Sequence, residues 1–276
     1  MSDIDHTTSL ITAPQYAEAV LQWYLDNGVD ETMLNTAQNR LARKAIAADV
    51  MPASAASSVI APALPMPTAV ESMAEALSLA RSAHDLEELR KAILGFEGLV
   101  IRKTAMNMVF SDGNPLARVM VVGDVPESDE DRAGKAFMGA QGQFLDKMFA
   151  AIGLTRTAVE PERSLYLTHM LNWRPPGNRS PQQAEIDLSL PFLERHIALI
   201  APKILVLMGP LVTKALQGGT VAKLRGGIGI YKPATADVGG VDISCVVMQP
   251  PASLLKAPLK KREAWADLLM IESALK

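Results

Sequence analysis

Cysteine is almost absent from this chain: a single residue, Cys245, occurs among 276. One thiol cannot form an intrachain disulfide, and it cannot supply an all-cysteine metal or iron–sulfur site. Long hydrophobic runs are also missing, so no transmembrane helix is expected, since such a helix needs ~18 consecutive apolar residues. The N-terminus lacks the basic and apolar regions of a secretory signal, and we therefore expect a cytoplasmic protein.

Neither sign of charge is in large excess. The chain carries 27 basic and 30 acidic residues, for a net charge of −3. A nucleic-acid partner would therefore need a local basic patch, because the whole molecule offers no basic field. Hydrophobic residues (49%) and charged residues (21%) occur at ordinary globular frequencies, which excludes a disordered or collagen-like chain.

Composition and periodicity divide the chain into four parts. Residues 1–48 are predicted to form a helical extension, and residues 49–68 are rich in Ala, Ser and Pro, which is typical of a flexible linker. Residues 69–95 form a helical lead-in with a break near residues 83–85. Residues 96–276 then alternate short apolar runs with amphipathic stretches, which is the pattern of an α/β domain.

Four apolar runs in that last part are predicted strands, at residues 118–123, 164–168, 203–209 and 242–248. Predicted helices lie between and after them, at residues 143–152, 181–200, 211–217 and 259–275. This pattern favours a three-layer α/β/α fold with a mainly parallel central sheet of about four strands. In such sheets the functional site lies beyond the carboxyl ends of the strands, in the loops that begin at Gly123, His169, Gly209 and Gln249.

Two of these loops carry groups suited to a base-binding or catalytic site. Asp124 leaves a strand end, where a carboxylate can do acid–base work or position water, and Phe137 can stack on a planar ring. The alternative is a solvated acidic loop with a core phenylalanine. His169 either contacts a ligand or has a structural role, which is the commoner case for a lone histidine.

Basic residues follow the other strand ends. Arg174 and Arg179 lie in a proline-stiffened loop that suits phosphate, unless they pair with carboxylates. The apolar pair Leu254 and Leu255 precedes a basic cluster, and an apolar wedge beside cations can open a base stack. The alternative is a solvated helix face. The cluster consists of Lys256, Lys260, Lys261 and Arg262.

The order of these motifs resembles family 4 of the uracil-DNA glycosylase superfamily, over about two-thirds of the chain. The matching segments are Phe110–Arg118, Gly123–Pro126, Gly134–Gly142, Arg174–Pro181, Leu224–Gly226 and Pro251–Lys256, followed by Trp265. The N-terminal helices are similar to an extension in some bacterial members. The resemblance implies a DNA-repair enzyme that flips uracil out of DNA and hydrolyses its N-glycosidic bond.

The resemblance also assigns roles inside the pocket. Phe137 matches the phenylalanine that stacks on uracil, with Gly123 and Val125 beside it, and Asp124 matches the acidic residue of the first motif. Two positions depart from the family. His169 stands where an asparagine reads the base, and Pro250 stands where a catalytic histidine supports the leaving base. Asp124 and His169 are therefore the catalytic candidates.

DNA is the partner that the resemblance implies, either uracil-containing or single-stranded. The implied DNA-binding residues are Arg174, Asn178, Arg179, Arg225, Ser253, Leu254, Leu255, Lys256 and Lys260. We expect a monomer without membrane contact, whose N-terminal helices offer a surface for a protein partner.

Family members hold a 4Fe-4S cluster with four cysteines. Here three of those positions are Leu99, Trp173 and Ser189, so we expect no cluster and no other metal or cofactor. Apolar packing of Trp173 is the expected replacement for its bracing role.

Three functions stay open at this point. The first is a DNA glycosylase with an altered pocket, and the second is an inactive relative that binds single-stranded DNA or an abasic site. The third is an interaction role built on the N-terminal helices.

Overall fold

The computed structural model describes residues 69–233 and 242–276. The predicted extension (1–48) and linker (49–68) lie outside these residues. In chain order the elements are α1 (Ala69–Ser82), α2 (Leu86–Gly95), β1 (Asp112–Gly113), β2 (Val119–Gly123), α3 (Ser128–Ala133), α4 (Gly139–Ala150), β3 (Leu165–His169), α5 (Gln183–Ile200), β4 (Ile204–Met208), α6 (Pro210–Gln217), α7 (Val221–Leu224), β5 (Ile228–Tyr231), β6 (Ile243–Met248), α8 (Pro251–Lys256) and α9 (Lys261–Leu275). Short 3-10 turns lie at Val100–Lys103, Pro176–Asn178 and Pro258–Lys260.

The strands form one sheet in the described part of the chain, in the order β1-β3-β2-β4-β6-β5. The four inner strands are parallel, and the two edge strands are antiparallel to their neighbours. The predicted α/β fold with a mainly parallel sheet is confirmed. Every residue of β2, β3 and β4 is buried, which is why these strands read as continuous apolar runs.

The two edge strands were missed by the sequence-based prediction, for identifiable reasons. Strand β1 consists of only Asp112 and Gly113, which have no strand propensity. Strand β5 reads Ile-Gly-Ile-Tyr, and the glycine inside this short run weakens its strand signal. The sheet therefore has six strands rather than about four.

Alternate strand residues face two separate hydrophobic clusters, because successive strand side chains point to opposite faces. On one face Met120 and Leu205 pack in a cluster with Leu89 of α2 and Phe192 of α5. On the other face the intervening strand residues pack with side chains of α4 and α9, which include Leu145 and Leu268. Helices therefore cover both sides of the sheet.

The lead-in contains two helices, with the break where the sequence indicates it. Asp85 caps α2 by accepting a hydrogen bond from the N–H of Glu88 at 2.8 Å. Buried residues of both helices, among them Ala76 and Ile93, belong to the same cluster as the sheet. In the described part of the chain, no helix combines the length and apolar character needed to cross a bilayer.

Candidate active site

A cavity of about 200 Å³ lies at the carboxyl ends of the parallel strands. The strand register places Gly123 directly between His169 and Met208, the last residues of β3 and β4. The five sequence-predicted catalytic and base-binding residues all line this cavity: Gly123, Asp124, Val125, Phe137 and His169. The volume is below the ~300–1,000 Å³ of pockets for drug-sized ligands, so the cavity suits a small ring.

His169 is held by a carboxylate that the sequence-based search missed. Its Nε2 lies 2.7 Å from Oε1 of Glu130, and both side chains are about 95% buried. Burial alone would raise the pKa of Glu130, but the charge and hydrogen bond of His169, with backbone N–H donors, outweigh it and the pKa is lowered. Glu130 is therefore ionised, and Nε2 of His169 must carry the proton of this hydrogen bond. Nδ1 of His169 is buried without a partner among the described residues.

Glu130 lies on α3, in an acidic segment for which the sequence suggested a loop. Its Oε2 accepts the N–H of Glu127 at 2.6 Å, which caps the start of the helix. The helix ends at Gly134, whose φ of 66° is easy only for glycine. The spacing Glu127-x-x-Glu130 was the available signal, because a side-chain acceptor followed by Glu three residues later marks a helix start.

The imidazole of His169 is stacked on the ring of Phe137, with centroids 4.6 Å apart and planes inclined by 26°. Gly123 makes this contact possible. A Cβ atom at Gly123 would lie 2.4 Å from Nδ1 of His169 and 2.9 Å from Cζ of Phe137. Only glycine therefore allows both rings to approach the end of β2.

Phe137 has a backbone conformation that is unusual for its residue type. Its φ is 53°, in the left-handed region. Two contacts hold it there: its N–H donates to Oε1 of Glu130, and its carbonyl accepts a hydrogen bond from Arg156 at 3.0 Å. Such conformations persist where surrounding contacts determine them, often at functional sites. Arg156 is a second positioning residue that sequence reasoning did not identify.

Asp124 is anchored at the start of α6. Its Oδ1 accepts the N–H of Val212 at 2.9 Å. Burial raises the pKa of Asp124 above its ordinary value, although hydrogen bonds from Val212 and Leu211 and the charge of His169 act in the opposite direction. Gly209 leaves room for this carboxylate, since a Cβ there would lie 2.2 Å from its Cγ.

The cavity therefore joins a carboxylate, an aromatic ring and a buried imidazole at the carboxyl ends of a parallel sheet. A family model, the uracil DNA glycosylase superfamily, matches residues 110–269, which include every one of these groups. The chain belongs to this superfamily.

Curated relatives agree with this membership. The chain is similar to proteins named type-4 uracil-DNA glycosylase from three archaea. Identity is 31% over 189 residues with the protein of Pyrobaculum aerophilum, covering 67% of this chain and 92% of the relative. It is 29% over 192 residues with that of Archaeoglobus fulgidus (67% and 91%) and 31% over 183 residues with that of Sulfurisphaera tokodaii (64% and 79%). The resemblance to family 4 is confirmed.

Pro250, which the resemblance places where family members have a catalytic histidine, lies on the cavity wall. A proline side chain has no hydrogen-bond donor. Of the described residues that line the cavity, His169 is the only one that can carry a positive charge.

The arginines expected to contact DNA already have acidic partners. Arg179 makes a two-pronged ion pair with Glu185, at 2.6 and 2.9 Å, and this hydrogen bonding lowers the pKa of Glu185. Arg174 donates to Asn178 at 2.8 Å and lies 3.8 Å from Asp131. These contacts agree with the alternative of carboxylate pairing, and they also hold the loop in shape.

Arg225 has two acidic neighbours. Its guanidinium lies 3.1 Å from Glu263 and 3.3 Å from Asp267, both on α9. A phosphate that binds Arg225 would compete with the carboxylates of Glu263 and Asp267 for its guanidinium.

Helix α8 separates the two leucines of the expected wedge. A wedge must be exposed, but Leu254 is fully buried in the core, so the expectation that it forms part of the wedge is wrong. Leu255, next in the chain, is 44% exposed and is the one available as a wedge. Neighbouring residues of a helix point about 100° apart, which explains the difference. Lys256 and Lys260 are exposed, and no ion pair involves them among the described residues, while Ser253 is partly buried.

The residues at the cluster positions do not fit a 4Fe-4S group. Leu99 and Trp173 are buried in the same apolar cluster, and Ser189 is buried with its hydroxyl donating to the carbonyl of Glu185 at 2.7 Å. None of these three is a thiolate, which the cluster needs. Cys245 lies inside β6, where burial raises the pKa of its thiol to about 12.

Proposed function

We propose that this protein is a DNA glycosylase that takes uracil from DNA into the cavity and hydrolyses its N-glycosidic bond. The observation that carries the proposal is the convergence of Asp124 and His169 on one small cavity. It is supported by superfamily membership and by relatives named type-4 uracil-DNA glycosylase. Asp124 and His169 are the two groups with the chemistry that the reaction needs.

Hydrolysis breaks the bond between the base nitrogen and C1′, and the bonding pair stays on the base. A water molecule adds to C1′ through its oxygen and loses one proton to Asp124, and the base departs as an anion. Asp124 then returns its proton to solvent water, and the base anion takes up one proton from solvent, so the products are the neutral base and the abasic sugar. Preorganised groups that meet the developing charges supply most of the rate in such sites. Asp124 serves the water and the cationic sugar, and His169 serves the base.

The surface beside the cavity carries the contacts proposed for DNA. Leu255 enters the space left by the flipped base, and Lys256 and Lys260 bind phosphates as unpaired cations. The proposed substrate is uracil-containing or single-stranded DNA, since a single strand lowers the cost of flipping. A monomeric state, a cytoplasmic location and a protein partner for residues 1–48 belong to the same proposal.

A second candidate function has one observation in its favour. Pro250 removes a donor from the cavity wall, and the loss of one such donor typically costs ~10²–10³ in rate. A protein with this cavity that binds a single strand or an abasic site without cleavage would explain that loss. The two functions differ in one measurable step, which is cleavage of the glycosidic bond.

Cleavage is tested with a labelled single-stranded oligonucleotide carrying one uracil. Purified protein is incubated in excess with the strand, which is then treated with alkali and resolved on a gel. We expect nicking at the uracil, lost in Asp124→Asn, a variant that keeps the acceptor for Val212 and removes the charge. Binding of the same strand without nicking at any pH would contradict the glycosylase and favour the binding protein.

A further inference from the structure

A groove with apolar walls lies beside the catalytic cavity, between helices α4 and α9. Its volume is about 240 Å³, and the buried Leu254 of α8 is one of the residues that line it. Phe144 and Met148 line it from α4, and Trp265 and Leu268 line it from α9. None of these five residues lines the catalytic cavity, so the groove is a separate feature of the surface.

Trp265 has free ring surface in this groove. It is 45% exposed, whereas tryptophan in folded domains is on average largely buried. Trp173, in the main apolar cluster, shows the usual case at 6%. Exposed aromatic rings are the groups on which proteins stack unpaired bases, because every base has a flat face. Trp265 therefore offers a surface on which a planar ring can bind.

The rim of the groove is positively charged. Of the described residues that line it, only Lys147 and Lys261 carry a charge. Nζ of Lys261 lies 5.0 Å from the centre of the Phe144 ring, and both lysines are exposed. Within residues 69–233 and 242–276, neither lysine takes part in an ion pair. The groove thus combines apolar walls with two cations that are available to a ligand.

The acidic residues next to these lysines in the chain are already engaged. Asp146 accepts a hydrogen bond from Nε of Arg156 at 2.8 Å, and Glu263 lies 3.1 Å from Arg225. The positive charge of the rim is therefore not cancelled by its nearest carboxylates. A nucleotide has the complementary chemistry, since it joins a flat ring to an anionic phosphate.

The groove also lies next to the surface already proposed for DNA. Helix α4 lines the catalytic cavity through Gln141 and the groove through Phe144. These residues are three apart, which is about 4.5 Å along a helix axis. Lys261 directly follows Lys260, which is one of the cations proposed to bind phosphates. A strand held at the cavity therefore passes close to the groove.

We propose that this groove is a second DNA site, in which one unpaired base stacks on Trp265 while Lys147 and Lys261 bind the phosphates beside it. The base in the groove is a neighbour of the base in the catalytic cavity and is not cleaved. The site accepts any base, because stacking uses the ring face and not the hydrogen-bonding edge. It selects single strands, since a base within a duplex is already stacked and paired. The inference rests on the DNA partner of the proposed function but not on cleavage.

Stacking is tested by measuring the affinity of the full chain for two labelled strands by fluorescence anisotropy. One strand is an oligothymidine, and the other has the same length and phosphates but no bases. We expect Trp265→Ala to bind the thymidine strand about fivefold more weakly or worse, as for the loss of one stacked base. Its affinity for the base-free strand should stay unchanged. Trp265→Phe keeps a ring and should retain most of the affinity for thymidine.

The two lysines should behave differently from the tryptophan. Lys147→Ala and Lys261→Ala should each weaken the binding of both strands, because both strands carry the phosphates. Each substitution should also flatten the slope of log affinity against log salt by about 0.7. A lysine variant that binds both strands as the wild type does would overturn the role given to that lysine.

Leu269 provides the matched control on the same helix. It is 43% exposed on α9, nearly as much as Trp265, but it does not line the groove. Leu269→Ala should therefore bind both strands with the affinity of the wild type. A loss in this variant equal to that of Trp265→Ala would overturn the assignment of binding to the groove.

Other occupants of the groove give different results. Equal affinity of Trp265→Ala and wild type for the thymidine strand would overturn the inference, and so would an equal loss on both strands. The inference would also be overturned if the wild type bound neither strand. A wild-type dimer that Trp265→Ala dissociates, with strand binding unchanged, would assign the groove to a second copy of the chain instead.

The inference and the proposed function fail separately, because neither strand contains uracil. A protein that never cleaves uracil strands but shows the thymidine-specific loss in Trp265→Ala would keep the groove site and contradict the glycosylase. Cleavage by the wild type together with unchanged thymidine binding in Trp265→Ala would keep the glycosylase and overturn the groove site.

Discussion

The imidazole of His169 lies flat against the ring of Phe137, with a centroid separation of 4.6 Å. One face of the phenyl ring is therefore covered by a side chain that is itself tied to Glu130 at 2.7 Å. The face of Phe137 that the imidazole covers is therefore closed to any other ring while His169 holds this position. In the proposed function His169 therefore both contacts the base and limits its access to Phe137.

Because the rings of His169 and Phe137 lie so close to Gly123, we expect a methyl group added at this position to reduce both stability and activity. In Gly123→Ala the new Cβ would meet Nδ1 of His169 at 2.4 Å, so the rings must move. We expect the free energy of unfolding to fall by about 1–3 kcal/mol and the cleavage activity to be lost. Thermal or chemical denaturation measures the first effect.

Gly95→Ala is the control for that substitution. Gly95 closes α2, and a Cβ atom added there would have no neighbour within 4 Å, so alanine should leave stability unchanged or slightly improved. Equal melting temperatures for Gly123→Ala and wild type would contradict the packing described around His169.

We expect the apolar packing of Trp173 to stabilise the domain in place of the cysteines that hold an iron–sulfur cluster in family members. The side chain is 6% exposed within the main apolar cluster, and its Nε1 has no partner in the described residues. Trp173→Ala should lower the free energy of unfolding by about 3–5 kcal/mol. Trp173→Phe removes the unpartnered N–H and keeps much of the ring, and should cost far less.

Trp265 provides the comparison, because it is 45% exposed on α9. Trp265→Ala should change the melting temperature much less than Trp173→Ala. If the two alanine variants were equally stable, apolar packing at Trp173 would not be what braces this part of the fold.

We expect ionisation of Asp124 to control the cleavage rate on the acidic side of its pH profile. Burial raises the pKa of this carboxyl. The carboxylate form accepts the proton of water, so activity should rise as pH increases through that raised pKa, above the ordinary range of an exposed aspartate. Single-turnover rates measured from about pH 4, near the ordinary aspartate pKa of ~3.9, to about pH 8 would reveal this limb. A profile whose acidic limb is the same in Asp124→Asn would show that another group is responsible.

We expect Lys256 and Lys260 to contribute to the salt dependence of DNA binding. Each phosphate contact on a single strand contributes ~0.7 to the slope of log affinity against log salt, so the double alanine variant should flatten the slope by about 1.4. Lys91→Ala is the control, since Lys91 lies on α2 beside Glu87 at 4.0 Å. An unchanged slope in the double variant would place the phosphates elsewhere.

The layout of the cavity was predictable from the sequence to the extent that parallel strands dictate it. Strands with continuous apolar runs end at Gly123 and His169, and strand ends of a parallel sheet lie together, so Asp124 and His169 had to converge. The edge strand β5 could not be identified in the same way, because a glycine interrupts its short apolar run.

The spacing of residues in the sequence does not show which side chains contact each other in the fold. Glu130 lies in a run of acidic residues that resembles a solvated loop, and only the folded α3 turns it inward to His169. The burial of Leu254 beside the exposed Leu255 depends on which side of α8 meets the core. Both outcomes are set by tertiary packing, which a single sequence does not display.

The proposed glycosylase activity is tested most directly by measuring the free base released from a uracil-containing single strand under single-turnover conditions. Chromatography of the released base separates glycosidic hydrolysis from nicking by any other route. We expect release of uracil by the wild-type protein, and a rate at least about tenfold lower in His169→Asn, which uncovers Phe137 but removes the imidazole. Faster release by His169→Asn, or no release by the wild type, would contradict the proposed function.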